Sequence, residues 1–208
     1  MLGRPASLTI DGPAGQLEVV VEDPPVDLGA PRGLAVIAHP HPLKGGTMDN
    51  KVVHTLVRAF ALAGWRAVRF NFRGVGQSES SWDEGRGETS DMLAVVAHHL
   101  VDPAMRGLPL ALAGFSFGGY VAAQAASRLI QAAADQSAVR APSTLVLISD
   151  LQVSVVVGAP IITVWVTATQ GKAEPVVGAK VTLWLKSWGQ VRGARACSGV
   201  WGVRVARA

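Results

Sequence analysis

Between residues 33 and 150 the chain alternates strand-like and helix-like apolar patterns, and few folds accommodate that alternation. "GLAVIAHPHP" is a continuous apolar run with no long polar face, the pattern of a strand buried on both sides. It stops at Pro40 and Pro42, neither of which can donate to a ladder. "WRAVRFNF", "LPLALAGF" and "STLVLIS" read as three further strands. Helical spacing separates them. Val52, Val53, Leu56, Val57 and Phe60 fall on one stripe, with Asp49 or Asn50 as N-cap and Gly64 as the stop. "DMLAVVAHHLV" turns Met92, Val95, Val96 and Leu100 inward, and Thr89 or Ser90 is its expected cap. A third helix is expected from Phe117 to Ile130. Strands joined by crossover helices pair in parallel, and right-handed crossovers cover both sheet faces. A hairpin over residues 7–22, turning at "DGPAG", precedes this block. The expected architecture is α/β, a mostly parallel central sheet with helices on both faces. Residues 1–208 are expected to form one domain.

With 208 residues, 49% of them apolar and 16% charged, the chain has enough apolar surface to bury a core. The net charge is +4, but its excess lies toward the C-terminus, scattered among Trp and Val. No basic face with interleaved aromatics forms, which argues against a nucleic-acid partner. One cysteine, Cys197, excludes an intrachain disulfide, and the first residues lack an apolar signal-peptide core. A cytoplasmic location is expected on those grounds. Between Asp150 and Lys172 no residue is charged, a length that reaches across a bilayer. Val, Ile and Thr dominate there and Gly158-Ala159-Pro160 interrupts it, so two strands joined by a turn are expected rather than a membrane span.

In "LALAGFSFGGYVAAQAA" a Gly-x-Ser-x-Gly sits between a strand and a helix. A turn there must be sharp and strained to lift the Ser116 hydroxyl out of the sheet, and Gly114 and Gly118 leave room for the backbone. Ser116 is the candidate nucleophile. The helix N-terminus adds free N–H groups, that of Phe117 first. A second oxyanion donor must come from the neighbouring "AHPHPLKGG" loop. Pro40 and Pro42 have no N–H, so the His41 N–H is the natural one. His39 and His41 also read as groups that pin the loop by side-chain hydrogen bonds. Two histidines separated by proline, with no third ligand, make a weak metal site, and no glycine loop has P-loop spacing. Neither metal nor cofactor is expected.

"AHPHPLKGGTMDNKVV", "VRFNFRGVGQSES", "DEGRGET" and "LALAGFSFGGYVAA", in that order, resemble the α/β-hydrolase superfamily, and more closely a small, lidless bacterial branch of serine hydrolases. The resemblance covers about residues 5–150. It implies an α/β-hydrolase-like fold, Ser116 as nucleophile, and His41 and Phe117 as backbone oxyanion donors. It places His39, Gly45, Gly46, Arg73 and Gly74 in the loops bordering the site. The segment from Asp83 to Glu88 resembles a recurring stretch of that branch, and its charge reads as a solvated loop. The implied reaction is acyl transfer from a small-molecule carboxylic ester or thioester.

The pattern then departs. In this fold serine, acid and histidine follow one another along the chain. The histidines are His39, His41, His54, His98 and His99, all before Ser116. A serine at its free pKa is a poor nucleophile, so weak or absent activity is an expectation, and a non-catalytic acyl-binding protein is the alternative. His41 is the candidate substitute base; His54, His98 and His99 lie on helices away from the loop. The acid is Asp150, at the end of "TLVLISD", or Glu174, in a stretch that weakly resembles the family's acid loop. With Glu174 as acid, Ala196 or Cys197 falls where a histidine belongs. Residues 151–208 are atypical: a degenerate family tail, a tail from a frame change or fusion, and a divergent ending are all open readings. Oligomeric state is not readable.

Overall fold

A computed structural model describes residues 5–134 and, as backbone, the strand segments 144–149, 152–157, 163–167, 180–182 and 204–206. Strands β1 (Ala6–Gly12) and β2 (Gly15–Glu22) form the expected hairpin, antiparallel with Gly12 opposite Gly15. Strand β3 (Leu34–Ala38) is buried at every residue, as its unbroken apolar run requires. Helix α1 (Lys51–Leu62) follows, then β4 (Arg66–Phe70), α2 (Arg86–Leu100), β5 (Leu110–Phe115), α3 (Phe117–Ala134) and β6 (Thr144–Ser149). Strands β7 (Gln152–Val157), β8 (Thr163–Thr167), β9 (Lys180–Thr182) and β10 (Arg204–Ala206) complete the described elements.

The main sheet runs β1-β2-β4-β3-β5-β6-β7-β8. Its centre, β4-β3-β5-β6, is parallel throughout, and the strands outside it pair antiparallel. The charge-free segment after Asp150 therefore contains two antiparallel strands, β7 and β8, as its composition indicated. No described helix is long and apolar enough to cross a membrane.

The two faces carry different cores because side chains alternate along a strand. Ala35, Ile37, Ala67, Ala111 and Ala113 meet Val53, Leu56 and Val57 of α1. Val36, Ala38, Val68, Phe70, Leu110 and Leu112 meet Met92, Val95 and Val96 of α2 and Val121, Ala122, Ala125 and Ala126 of α3. One face thus needs small strand residues under a single helix, whereas the other fills a deeper layer beneath two.

Helix starts follow the caps. Asn50 Oδ1 accepts from the Val52 N–H, 2.9 Å away, and so takes the capping role assigned to Asp49 or Asn50. For α2 the expected cap is wrong. The helix starts at Arg86, with Gly85 as N-cap at φ +92°, and Thr89 lies within its first turn. The Thr89 hydroxyl donates back to the Gly85 carbonyl at 2.6 Å instead of capping an N–H.

Candidate functional site

Ser116 stands between the end of β5 and the first residue of α3, exposed, at φ +55°. A left-handed conformation is costly for a residue with a Cβ, and here the chain must reverse from strand to helix within one residue. Two glycines make that possible. A Cβ on Gly114 would collide with the backbone of Gly118 and Gly119. One on Gly118 would collide with the carbonyl oxygens of Ala38 and His39. The second contact matters most, because it seats the start of α3 directly on the end of β3 and brings the His39–Gly46 loop beside Ser116.

That loop is folded on itself. The His41 carbonyl accepts from Lys44 N–H at 3.0 Å and Gly46 N–H at 3.1 Å. Gly45 takes φ +75°, and a Cβ on Gly46 would overlap the Pro40 carbonyl. Both glycines are therefore needed for the loop to close. The Phe117 N–H is one of the four at the start of α3 that lack an intrahelical acceptor. Neither it nor the His41 N–H meets any other acceptor among the described residues.

The two loop histidines have separate fates. His39 is fully buried. Its Nδ1–H donates to the Pro40 carbonyl at 2.7 Å, and its Nε2 accepts from the Phe72 N–H at 3.1 Å. Both nitrogens are occupied, which fixes the neutral tautomer, and burial lowers its pKa to about 4, against the raising effect of the Pro40 bond. His39 thus pins the ends of β3 and β4 together. His41 pins nothing by its side chain. Its Nδ1 is buried without a hydrogen-bond partner, and no hydrogen bond joins its ring to Ser116 among the described residues. Its ring lies instead against aromatics, 4.7 Å from Trp82 at 27° and 5.1 Å from Phe117. Of the distant histidines, His54 is exposed, 3.4 Å from Asp49. His99 is buried under α2.

The segment expected to be a solvated charged loop is half buried machinery. Asp83, Glu84 and Arg86 stay at the surface, whereas Glu88 is fully buried. Its carboxylate accepts from the Asp83 N–H at 2.8 Å and the Gly85 N–H at 2.7 Å. Beside it the Asp91 carboxylate accepts from the Arg73 N–H at 3.1 Å, its Nε at 2.9 Å and its Nη2 at 2.6 Å. Arg73 Nη2 also donates to the Gly87 carbonyl at 3.0 Å, and any Cβ on Gly87 would occupy the guanidinium's seat. These hydrogen bonds and the Asp91 charge raise the Arg73 pKa further above its ordinary value, against desolvation. Both ends of the 73–88 loop are thereby tied to α2, and Gly74, at φ +72°, is closely approached by Ser80 and Ser81. Sequence reasoning read Glu88 as part of a solvated loop and passed over Asp91, Trp82 and Tyr120. The one signal available was a lone tryptophan inside a polar stretch.

The acid candidates Asp150 and Glu174 lie outside the described residues, as do Ala196 and Cys197. Strand β6, which precedes Asp150, runs parallel to β5 and ends at Ser149.

Residues 43–144 match the family described as the alpha/beta hydrolase fold. A Xanthomonas campestris structure, described as an α/β serine hydrolase without lid, is 39% identical; the match covers 70% of this chain and 71% of that one, with a TM-score of 0.60. An α/β serine hydrolase homologue from Coxiella burnetii is 33% identical over 70% of this chain and 88% of that one, with a TM-score of 0.54. An uncharacterised Rickettsia prowazekii protein is 38% identical over 99 residues, 46% of this chain. The matched part spans 40% of that relative's length. With identities of 39% and 33% over 71% and 88% of two α/β serine hydrolase relatives, and a family match over residues 43–144, the chain belongs to the α/β hydrolase fold family.

Proposed function

We propose that the chain carries a serine-hydrolase site for small-molecule carboxylic esters or thioesters, with Ser116 as the nucleophile. The observation that carries this reading is the pairing of an exposed serine at φ +55° with two unpartnered N–H groups, those of Phe117 and His41. Ser116 Oγ adds to the acyl carbon. The two N–H groups receive the oxyanion, the alcohol or thiol leaves with the proton taken from Ser116 as its bond to the acyl carbon breaks, and water then cleaves the acyl–Ser116 ester to release the acid. His41 is the histidine whose ring touches the residue after Ser116, which makes it the candidate acceptor of the serine proton. No acid holds its Nδ1 among the described residues. A base that no third group orients is a weak one. Turnover is therefore expected near the residual of roughly 10³–10⁴-fold over water that an oxyanion hole and binding supply without a working triad.

The unpartnered His41 ring also favours a second reading, a protein that binds an acyl ligand in this pocket without turning it over. One experiment separates the two. The purified chain is incubated with a fluorophosphonate, then analysed by intact mass and site mapping. Stoichiometric labelling at Ser116, lost in Ser116→Ala and slowed in His41→Ala, supports the nucleophile. A folded chain that stays unlabelled rejects it in favour of binding alone.

A further inference from the structure

Four rings form a continuous aromatic surface beside Ser116. Trp82 stacks on His41 at 4.7 Å and lies 4.9 Å from Phe117, and Phe117 lies 6.0 Å from Tyr120. Phe72 closes the inner side, 5.7 Å from Phe117 and edge-on to it. His41 and Phe117 are the residues whose N–H groups face no acceptor, so this surface adjoins the place where an acyl carbon must sit. Tyr120 is 51% exposed, and Trp82 and Phe117 are half-buried, so the surface is open to a ligand.

Trp82 is held there at a cost. Ser80 at φ +73° and Glu84 at φ +52° both adopt left-handed backbone, two residues to either side of it. Such conformations persist in non-glycine residues where the surroundings over-determine them, and they concentrate at functional sites. The surroundings here are the buried Glu88 carboxylate on the Asp83 and Gly85 N–H groups, and the Gly74 backbone packed close to Ser80 and Ser81. A Cβ on Gly85 would come within 2.7 Å of the Tyr120 ring, so the same loop also positions Tyr120. The loop is built around two aromatic side chains that α1, β3 and β4 do not need for their core.

From this arrangement we infer that Trp82, with Tyr120 at the rim, is a specificity determinant that takes an aromatic ring of the ester's acyl part. The inference rests on the proposed acyl site. A flat apolar group extends the offset stack from His41 through Trp82, and aromatic pairs favour tilted and offset contacts of this kind beyond the area they bury.

The test uses the full chain carrying Ser116→Ala, so that binding is read without turnover. The probes are butyrate, 4-phenylbutyrate and 4-cyclohexylbutyrate, titrated by calorimetry or by NMR. The phenyl acid is expected to bind about tenfold more tightly than butyrate, and more tightly than its cyclohexyl counterpart. Adding Trp82→Ala removes the preference, and Trp82→Phe, which keeps a ring and guards against a merely unfolded loop, restores most of it. Equal affinities for the three acids, no binding of the phenyl acid up to its solubility limit, or a preference that survives Trp82→Ala in a folded protein each overturns the inference. Failure of the nucleophile assignment shows separately, as absence of fluorophosphonate labelling in the wild-type chain.

Discussion

Strand β4 leads from one arginine to another, and its two ends are built to different standards. At its start Arg66 is shared between Asp23 at 2.6 Å and Asp102 at 2.7 Å, carboxylates that are 52% and 38% exposed. Beyond its end Arg73 is enclosed: its side chain is 10% exposed and that of Asp91 is 1% exposed. The first cluster ties surface elements together in contact with solvent. The second ties a loop of the candidate site to α2 through three bonds to one buried carboxylate. The same contrast recurs in the histidines. His39, at the site end, uses both ring nitrogens, while His99, at the far end, keeps Nε2 buried without a partner. At the site end Arg73, Asp91 and His39 are buried and bonded, and they hold backbone in place, whereas His41 Nδ1 is buried beside them without a partner.

The widest gap between the two ends is expected on removing the Asp91 carboxylate. Asp91→Ala strips the buried Arg73 guanidinium of its paired carboxylate, leaving it the Gly87 carbonyl and the field of Glu88 and Asp83; breaking a buried pair costs about 3–5 kcal/mol in comparable sites. Urea unfolding measures the loss, and slower fluorophosphonate labelling at a denaturant-free condition shows the loop released. A loss no greater than that from cutting the Arg66 cluster would remove the distinction drawn between the ends.

Much of the architecture was legible in the residues. The unbroken run of β3 and the stripe on α1 follow from periodicity, and the strand-serine-helix turn follows from where two glycines flank Ser116. The site's supporting loop was not legible, and the reason is physical. "DEGRGET" is rich in charge, and charge reads as solvent-facing unless a partner buries with it. The partner of Asp91 is Arg73, 18 positions earlier, and the carboxylate of Glu88 bonds to backbone N–H groups that carry no sequence signature. The start of α2 was misplaced for the same cause, because its first turn contains the buried Glu88 and a left-handed Gly85 instead of a Ser or Thr cap. Sequence position singles out His41 over His39 as the candidate base, but it does not show what either ring bonds. They stand two apart at a strand end, and only the approach of β4 decides which ring meets the Phe72 N–H.

Acid sharpens the comparison next. Burial lowers His39 to about 4; burial, then His98 and Arg66, lower His99 to about 4 against Asp102 and Asp23. The unfolded chain protonates these rings near pH 6.5, so between pH 6.5 and 4 it binds more protons than the folded chain. Stability is therefore full above about pH 6.5 and falls as the pH drops toward 4, by roughly 3 kcal/mol for each ring at most. Denaturant midpoints measured across that window should show the fall, and His99→Gln should remove about half of its slope. The two rings differ in local consequence. Protonating Nε2 of His39 breaks its bond from the Phe72 N–H at the site, so labelling of Ser116 should slow as the pH falls through about 4, in His99→Gln as in wild type. Labelling that follows His99 instead would place the sensitive contact at the wrong end of the sheet.

The smallest effect is expected at the Arg66 cluster. In Asp23→Ala the guanidinium keeps Asp102, whose own pKa is lowered by the Ala104 N–H and by Arg66, so no buried charge is stranded. An exposed carboxylate lost from such a cluster costs below about 1 kcal/mol, and less in salt, because solvent already screens the pair. Urea unfolding at low and high ionic strength checks both statements. The loss should shrink with salt in Asp23→Ala and stay nearly constant in Asp91→Ala, since a buried pair is screened far less. A salt-independent loss in Asp23→Ala would mean that Asp23 acts by packing against Arg66 and not by its charge, and the two ends of β4 would then differ in burial alone.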